Sequence, residues 1–149
     1  THLYLDHLSI VVSEYAQDGD ERKAIDEIMT KLKRLTQELN IWIGLVVHLR
    51  KASGTPFELG AVPSVDDLRG SGAIKQLSNN IYALSRNQQH PDVVRRNTTL
   101  LTVLKCRFSG RTGPADLIQY DPHTGRMGSS GLSLAEFAQT DSNPLNMTL

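Results

Sequence analysis

The sequence holds a single cysteine, Cys106, so no disulfide can form within the chain, and this suits a reducing compartment. It carries no net charge: 16 Lys and Arg stand against 16 Asp and Glu. The total therefore singles out neither a nucleic-acid nor a membrane partner. No apolar run approaches the roughly 20 residues of a membrane-crossing helix. No signal peptide and no internal repeat are visible. What is present is a chain of 149 residues, enough for one domain with its own core. It begins with Thr1, and "THLYLD" reads as the middle of a fold, so we expect a fragment of a longer protein.

Charge is unevenly placed. Acids dominate Asp18–Asp26, and arginines gather between Arg86 and Arg111, so a neutral sum conceals a local basic region.

Hydrophobic spacing sets the elements. "HLYLDHLSIVV" is mostly apolar on both strand faces, which suggests a buried parallel strand ending near Asp6. The polar "SEYAQDGDER" follows. Within Glu21–Asn40, Ile25, Ile28, Met29, Leu32, Leu35 and Leu39 form one helical face, with Asp20 placed to cap it. "IWIGLVVHL", Ile41–Leu49, reads as a second buried parallel strand with Trp42 in the core, completing a βαβ unit. After the polar loop Arg50–Pro63, Ser64 and Asp67 have helix-start spacing. A short helix breaks at Arg69–Gly72, and another follows over Ala73–Leu77. Asn80–Arg86 is a strand, "RNQQHPDVVRRN" a polar turn region, and Thr98–Phe108 and "ADLIQYD" a hairpin. Arg126–Met127 begins a final short strand. Residues 129–149 are expected to be a flexible tail, with at most a short helix at Ser133–Ala138. The fold class is α/β: a parallel βαβ start extended, in the same sheet, by antiparallel strands. Cys106 is expected to be an inert buried thiol.

The segment "DLRGSGAIKQLSNN", Asp67–Asn80, has two glycines around a serine and a lysine close behind. A phosphate-binding loop is G-x-x-x-x-G-K-[ST] between a strand and a helix. Here the spacing is short, Gln76 follows Lys75, and a helix precedes. Two readings stay open: a glycine-rich turn between helices, or a loop whose amides and Arg69 meet the phosphates of another polymer. Asp6 ends an apolar strand, where a carboxylate can hold magnesium. His48 ends the next strand, at the edge where open α/β sheets bind ligands.

Taken together, "YLDHLSIVVS", "DERKAID", "IMTKLK", "VVHL", "DLRGSGAIKQLS", "ALSRNQQ" and "LKCRFSGRTG" resemble one family. It is the hexameric ring helicases with a RecA-like motor, specifically the helicase half of short-tailed phage helicase-primases, with Twinkle and DnaB more distant. The resemblance is collinear from Leu3 to about Arg126. It implies that residues 1–128 are the C-terminal portion of a RecA-like motor. Asp6 matches the Walker B aspartate, positioning Mg2+, and His48 the polar sensor of the γ-phosphate. Arg50 and Lys51 begin a channel-lining loop, and Arg69, Gly70, Ser71 and Gly72 match the main DNA-binding loop. Arg107, with Lys105 beside it, matches the arginine finger offered to a neighbouring subunit; two apart on an expected strand, they would share a face. Arg86 and Tyr120 match a pair that sandwiches the adenine base.

The resemblance further implies ATP or dTTP as nucleotide, single-stranded DNA and other replication proteins as partners, a homo-hexameric ring, no membrane, and the host cytoplasm as location. The sequence departs from the family in having no Walker A loop and no segment matching the catalytic glutamate, primase half or linker helix. Its last 20 residues carry only Glu136 and Asp141, not an acidic tail. The expected function is the C-terminal part of a replicative 5′→3′ helicase, inactive in isolation. The alternatives are a non-enzymatic RecA-like DNA-binding or interaction module and, more remotely, a RecA-like recombinase ATPase.

Overall fold

A computed structural model describes residues 1–15, 20–70 and 72–141. Its elements are β1 (His2–Leu5), α1 (Leu8–Tyr15), α2 (Glu21–Glu38), β2 (Trp42–Leu45), a 3₁₀ turn (Val65–Asp67), α3 (Gly72–Leu77), β3 (Asn80–Ser85), α4 (Val93–Arg96), β4 (Thr98–Cys106), β5 (Gly113–Asp121), β6 (Arg126–Ser129) and α5 (Leu134–Asp141). The chain divides into two units, one of Thr1–Ala52 with Ser64–Ile81, the other of Ser53–Pro63 with the residues from Tyr82 onward.

In the first unit β1 and β2 pair in parallel, His2 against Trp42 through Leu5 against Leu45. The helix between them follows from its spacing. Asp20 caps α2 by accepting from the Lys23 amide at 3.1 Å. Ala24, Ile25, Ile28 and Met29 then fall on one buried stripe. They pack with Leu8, Val12 and Ile74 into the core of this unit. Each of the Leu, Ile, Val and Met side chains, fully buried, contributes about 1.5–3 kcal/mol.

Helix α1 was not expected from the sequence. Its Ile10-Val11-Val12 run favours a strand locally, but Leu8 and Val12, one turn apart, both reach the core. Trp42, expected in the core, is instead 48% exposed. Its ring lies against Tyr4 (centroids 5.3 Å apart, edge-on) and His2 (5.7 Å). Gly44 makes room for that ring, because a Cβ there would come within 2.6 Å of the indole. The helices bury only part of the two-stranded sheet, so β1 and β2 are not the two-sided buried strands their composition suggests.

The antiparallel strands form a sheet of their own, in the order β3-β4-β5-β6, rather than joining β1 and β2. β4 pairs with β5, with a bulge between Leu101 and Thr102, and β5 with β6. The turn into β6 is held by the Asp121 carboxylate, which accepts from the Thr124 hydroxyl (2.7 Å) and the His123 amide (2.9 Å). These bonds keep its pKa below the usual value, the Thr124 hydroxyl contributing most. Leu117, Ala83, Thr98 and Thr99 are the buried centre of this unit. The expected polar turn at Arg86–Asn97 contains α4, capped by Asp92 accepting from the Arg95 amide. The buried Arg95 donates to the carbonyls of Glu136 and Phe137 at 3.2 and 3.0 Å and lies 4.9 Å over the Phe137 ring. It thereby fastens α5 to the unit. Residues 142–149 of the expected tail lie outside the described residues.

Candidate functional site

Asp6 directly follows β1, and His48 lies three residues beyond the end of β2. The two ends are laced together: the Val46 amide donates to the Leu5 carbonyl (2.9 Å) and the Leu8 amide to the Val46 carbonyl (3.0 Å). Asp6 and His48 therefore stand at the same carboxyl edge of the parallel pair, and both are exposed. The bridge between them is His7, whose ring stacks on that of His48 with centroids 3.9 Å apart and planes tilted by 33°. In the sequence, only its place beside a strand-end Asp marks His7.

Among the described residues no cluster of three or more His, Cys, Asp or Glu is arranged to hold a metal. A lone exposed carboxylate nevertheless fits Mg2+, which proteins commonly hold through one or two carboxylates, waters and substrate phosphates rather than a protein cage.

From this edge hydrogen bonds lead across to the glycine loop. The His48 carbonyl accepts from the Arg69 amide at 2.8 Å. Leu49 and Leu68 form an antiparallel bridge, and the Arg50 amide donates to the Asp67 carbonyl at 2.7 Å. The Arg50 guanidinium also donates to the Gly70 carbonyl at 3.3 Å. Asp67 is fixed in turn by a capping box, its carboxylate accepting from both the amide and the hydroxyl of Ser64 at 2.7 Å. Those bonds, the Ser64 amide first, hold the Asp67 pKa below the usual carboxylate value. Arg69 is half exposed and faces Glu21 at 3.4 Å, a surface pairing that salt screens readily. Lys51 and Gly72 are exposed, and Ser71 lies outside the described residues.

Gly70 has φ +134°, and a Cβ there would meet Ile74 and Ile25 at 2.9 and 3.0 Å. Gly70→Ala is expected to cost about 1–3 kcal/mol and to weaken single-strand binding. Gly72→Ala, with open space around it, is expected to stay within about 1 kcal/mol of the parent. Denaturant midpoints and binding titrations of the two variants check the contrast.

The second unit holds the remaining sequence-predicted residues. Arg86 and Tyr120 do come together, the guanidinium carbon 6.0 Å from the ring centroid. At this distance the cation lies at the outer limit of a cation–π contact. β4 ends at Cys106, two residues earlier than expected, so Arg107 sits in the following turn rather than on a strand face with Lys105. The turn is closed by the Gly110 amide donating to the Cys106 carbonyl at 2.8 Å. Arg107 is exposed and Lys105 half-buried. Cys106 is half-buried rather than buried. The Ser109 hydroxyl donates to its sulfur at 3.1 Å, the largest of the effects that lower the thiol pKa.

The chain is 45% identical over 124 residues to the DNA helicase/primase of Enterobacteria phage T3, a match covering 83% of this chain. The chain spans about a fifth of that relative, 21% of its length. Among solved structures it resembles a DnaB-like replicative helicase described with its interactions with primase, at a TM-score of 0.60 and 21% identity. That match covers 75% of this chain and 26% of the other, and at this identity it speaks for the fold. Residues 1–127 match the DnaB-like helicase C terminal domain, and the chain belongs to that family.

Proposed function

We propose that this chain is the C-terminal part of the motor of a phage-type replicative helicase, which couples NTP hydrolysis to 5′→3′ translocation on single-stranded DNA. The observation that carries this reading is the lacing of His48–Arg50 to Asp67–Gly70, by two main-chain bonds and by the Arg50 guanidinium bond to the Gly70 carbonyl. In this reading a shift at the strand edge holding Asp6 and His48 would move the Arg69 loop with it, because hydrogen bonds join the two segments.

In this reading Asp6 would hold Mg2+, which neutralises phosphate charge when bound. His48 faces the terminal phosphate of ATP or dTTP. Arg86 and Tyr120 clasp the base, and Arg107 reaches the nucleotide of the next protomer in a hexameric ring. Arg50, Lys51 and Arg69 meet the DNA backbone through charge, and the Gly70–Gly72 loop through its amides. The partners are single-stranded DNA and other replication proteins, a primase among them, in the host cytoplasm. No helix among the described residues is long and apolar enough to cross a membrane.

The 149 residues contain no G-x-x-x-x-G-K-[ST] segment, so the isolated chain is expected to show little or no NTP turnover. The longer protein carrying it is expected to hydrolyse NTP faster when single-stranded DNA is added. Phosphate release with and without DNA, from both proteins, tests this. Turnover by the isolated chain that survives Arg107→Ala would overturn it. DNA binding by the longer protein with no nucleotide dependence would favour a non-enzymatic module instead.

A further inference from the structure

The residue after the strand-end aspartate has so far no role. His7 is half-buried, and its Nδ1 is fully buried with no hydrogen-bond partner among the described residues. An unpaired buried nitrogen is a cost to the fold. Leucine would fill the same space without it, so packing alone does not account for an imidazole here. What the ring does provide is a flat face, and on that face lies His48, 3.9 Å away.

Both backbones are pinned. The His7 carbonyl accepts from the Ile10 amide at 3.1 Å, and the His48 carbonyl from the Arg69 amide at 2.8 Å. The His48 side chain, by contrast, is exposed, and an exposed imidazole otherwise samples several rotamers. We infer that His7 is a positioning residue. Its ring is the platform that holds the His48 imidazole in one orientation at the Asp6 edge. The inference rests on the nucleotide-site reading of Asp6 and His48.

A tilted aromatic pair restricts its partner by an amount equivalent to about three- to tenfold in population. His7→Ala in the longer helicase is therefore expected to lower DNA-stimulated kcat by about three- to tenfold with KM nearly unchanged. His7→Phe keeps the face, drops the unpaired nitrogen, and is expected to restore kcat. His7→Leu fills the site without a π face and is expected to behave as alanine does; it replaces the alanine variant should that one fail to fold.

A second readout needs no nucleotide. In the 149-residue chain the His48 ring protons are expected upfield of exposed-histidine positions in the NMR spectrum. They should move downfield in His7→Leu and stay upfield in His7→Phe. The inference is overturned if His7→Leu matches the parent in both kcat and ring shift, or if His7→Phe is as defective as His7→Leu. Asp6→Asn and His48→Ala separate the two levels. If neither lowers hydrolysis, the nucleotide-site reading fails; if both do while the His7 variants match the parent, only the positioning role fails.

Discussion

Arg107→Ala in the assembled full-length protein is expected to reduce NTP hydrolysis by about 10³-fold or more, the lower end of what an arginine supplied in trans contributes in nucleotide hydrolases. Arg107 sits in the exposed turn just beyond β4. The turn holds its shape through the Gly110–Cys106 backbone bond and the Ser109 hydroxyl, which accepts from the Arg111 amide at 3.3 Å and donates to the Cys106 sulfur. Denaturant midpoints of the variant, measured beside its turnover, separate a loss of chemistry from a loss of the turn. The fall should appear in kcat more than in KM, because charge on the transferring phosphoryl develops only in the transition state. Lysine should recover little, because a point charge does not reproduce a planar fork of donors.

Mixing supplies the decisive arm. An Arg107→Ala protomer keeps its own Asp6, and an Asp6→Asn protomer keeps its own Arg107. Rings assembled from both should regain part of the activity that each lacks alone. Absence of any recovery, with rings shown intact by native mass spectrometry, would mean that Arg107 does not serve a neighbour.

The parts of the fold that were legible share one property: local pattern and tertiary demand agree. In α2 the cap Asp20, the acidic first turn and the Ile25-Ile28-Met29 stripe all point the same way, and the helix forms where they say. The capping box at Ser64 and Asp67 was legible for the same reason, though it starts a 3₁₀ turn rather than an α-helix. Helix α1 fails the test because its β-branched run argues for a strand, and only contact of Leu8 and Val12 with α2 decides otherwise. Helix α4 is a single turn, too short for periodicity to register, and its stability comes from Asp92 and from the contacts of Arg95. Trp42 shows the reverse error. Apolar composition implied two covered faces, whereas its ring packs along the sheet surface against Tyr4 and His2.

The candidate site divides in the same manner. Asp6 and His48 were readable as strand-end polar residues, since the ends of parallel strands converge by topology. That His48 is laced to Arg69 was not readable, because a two-bond bridge between loop segments leaves no periodic trace. Arg86 and Tyr120 came from resemblance alone. They lie on different strands of an antiparallel sheet whose register depends on the bulge at Leu101–Thr102 and on the turns. Cys106 was misjudged because its environment is set by Ser109, three residues on, in a turn that the expected longer strand had absorbed.

Asp6→Asn is expected to lower NTP hydrolysis by the full-length protein by about 10- to 100-fold, the cost typical of losing a group that supports a metal from its outer shell. The substitution keeps volume and removes only charge. Because Asp6 is exposed, stability should change by no more than about 0.5 kcal/mol. Nor should it disturb the Arg69 loop, whose bonds run through His48, Leu49 and Arg50. Single-strand affinity without nucleotide is therefore expected to match the parent. The defect should instead show as a raised requirement for Mg2+, so that part of the lost rate returns at high Mg2+ concentration. Hydrolysis measured across a Mg2+ series, beside thermal denaturation and DNA titration of the same variant, distinguishes the outcomes. Unchanged hydrolysis would remove Asp6 from the chemistry, and a fall matched by lost stability would make it a residue of the fold. A rate that falls alone and recovers with the cation identifies the β1 edge as the place where fuel meets the motor.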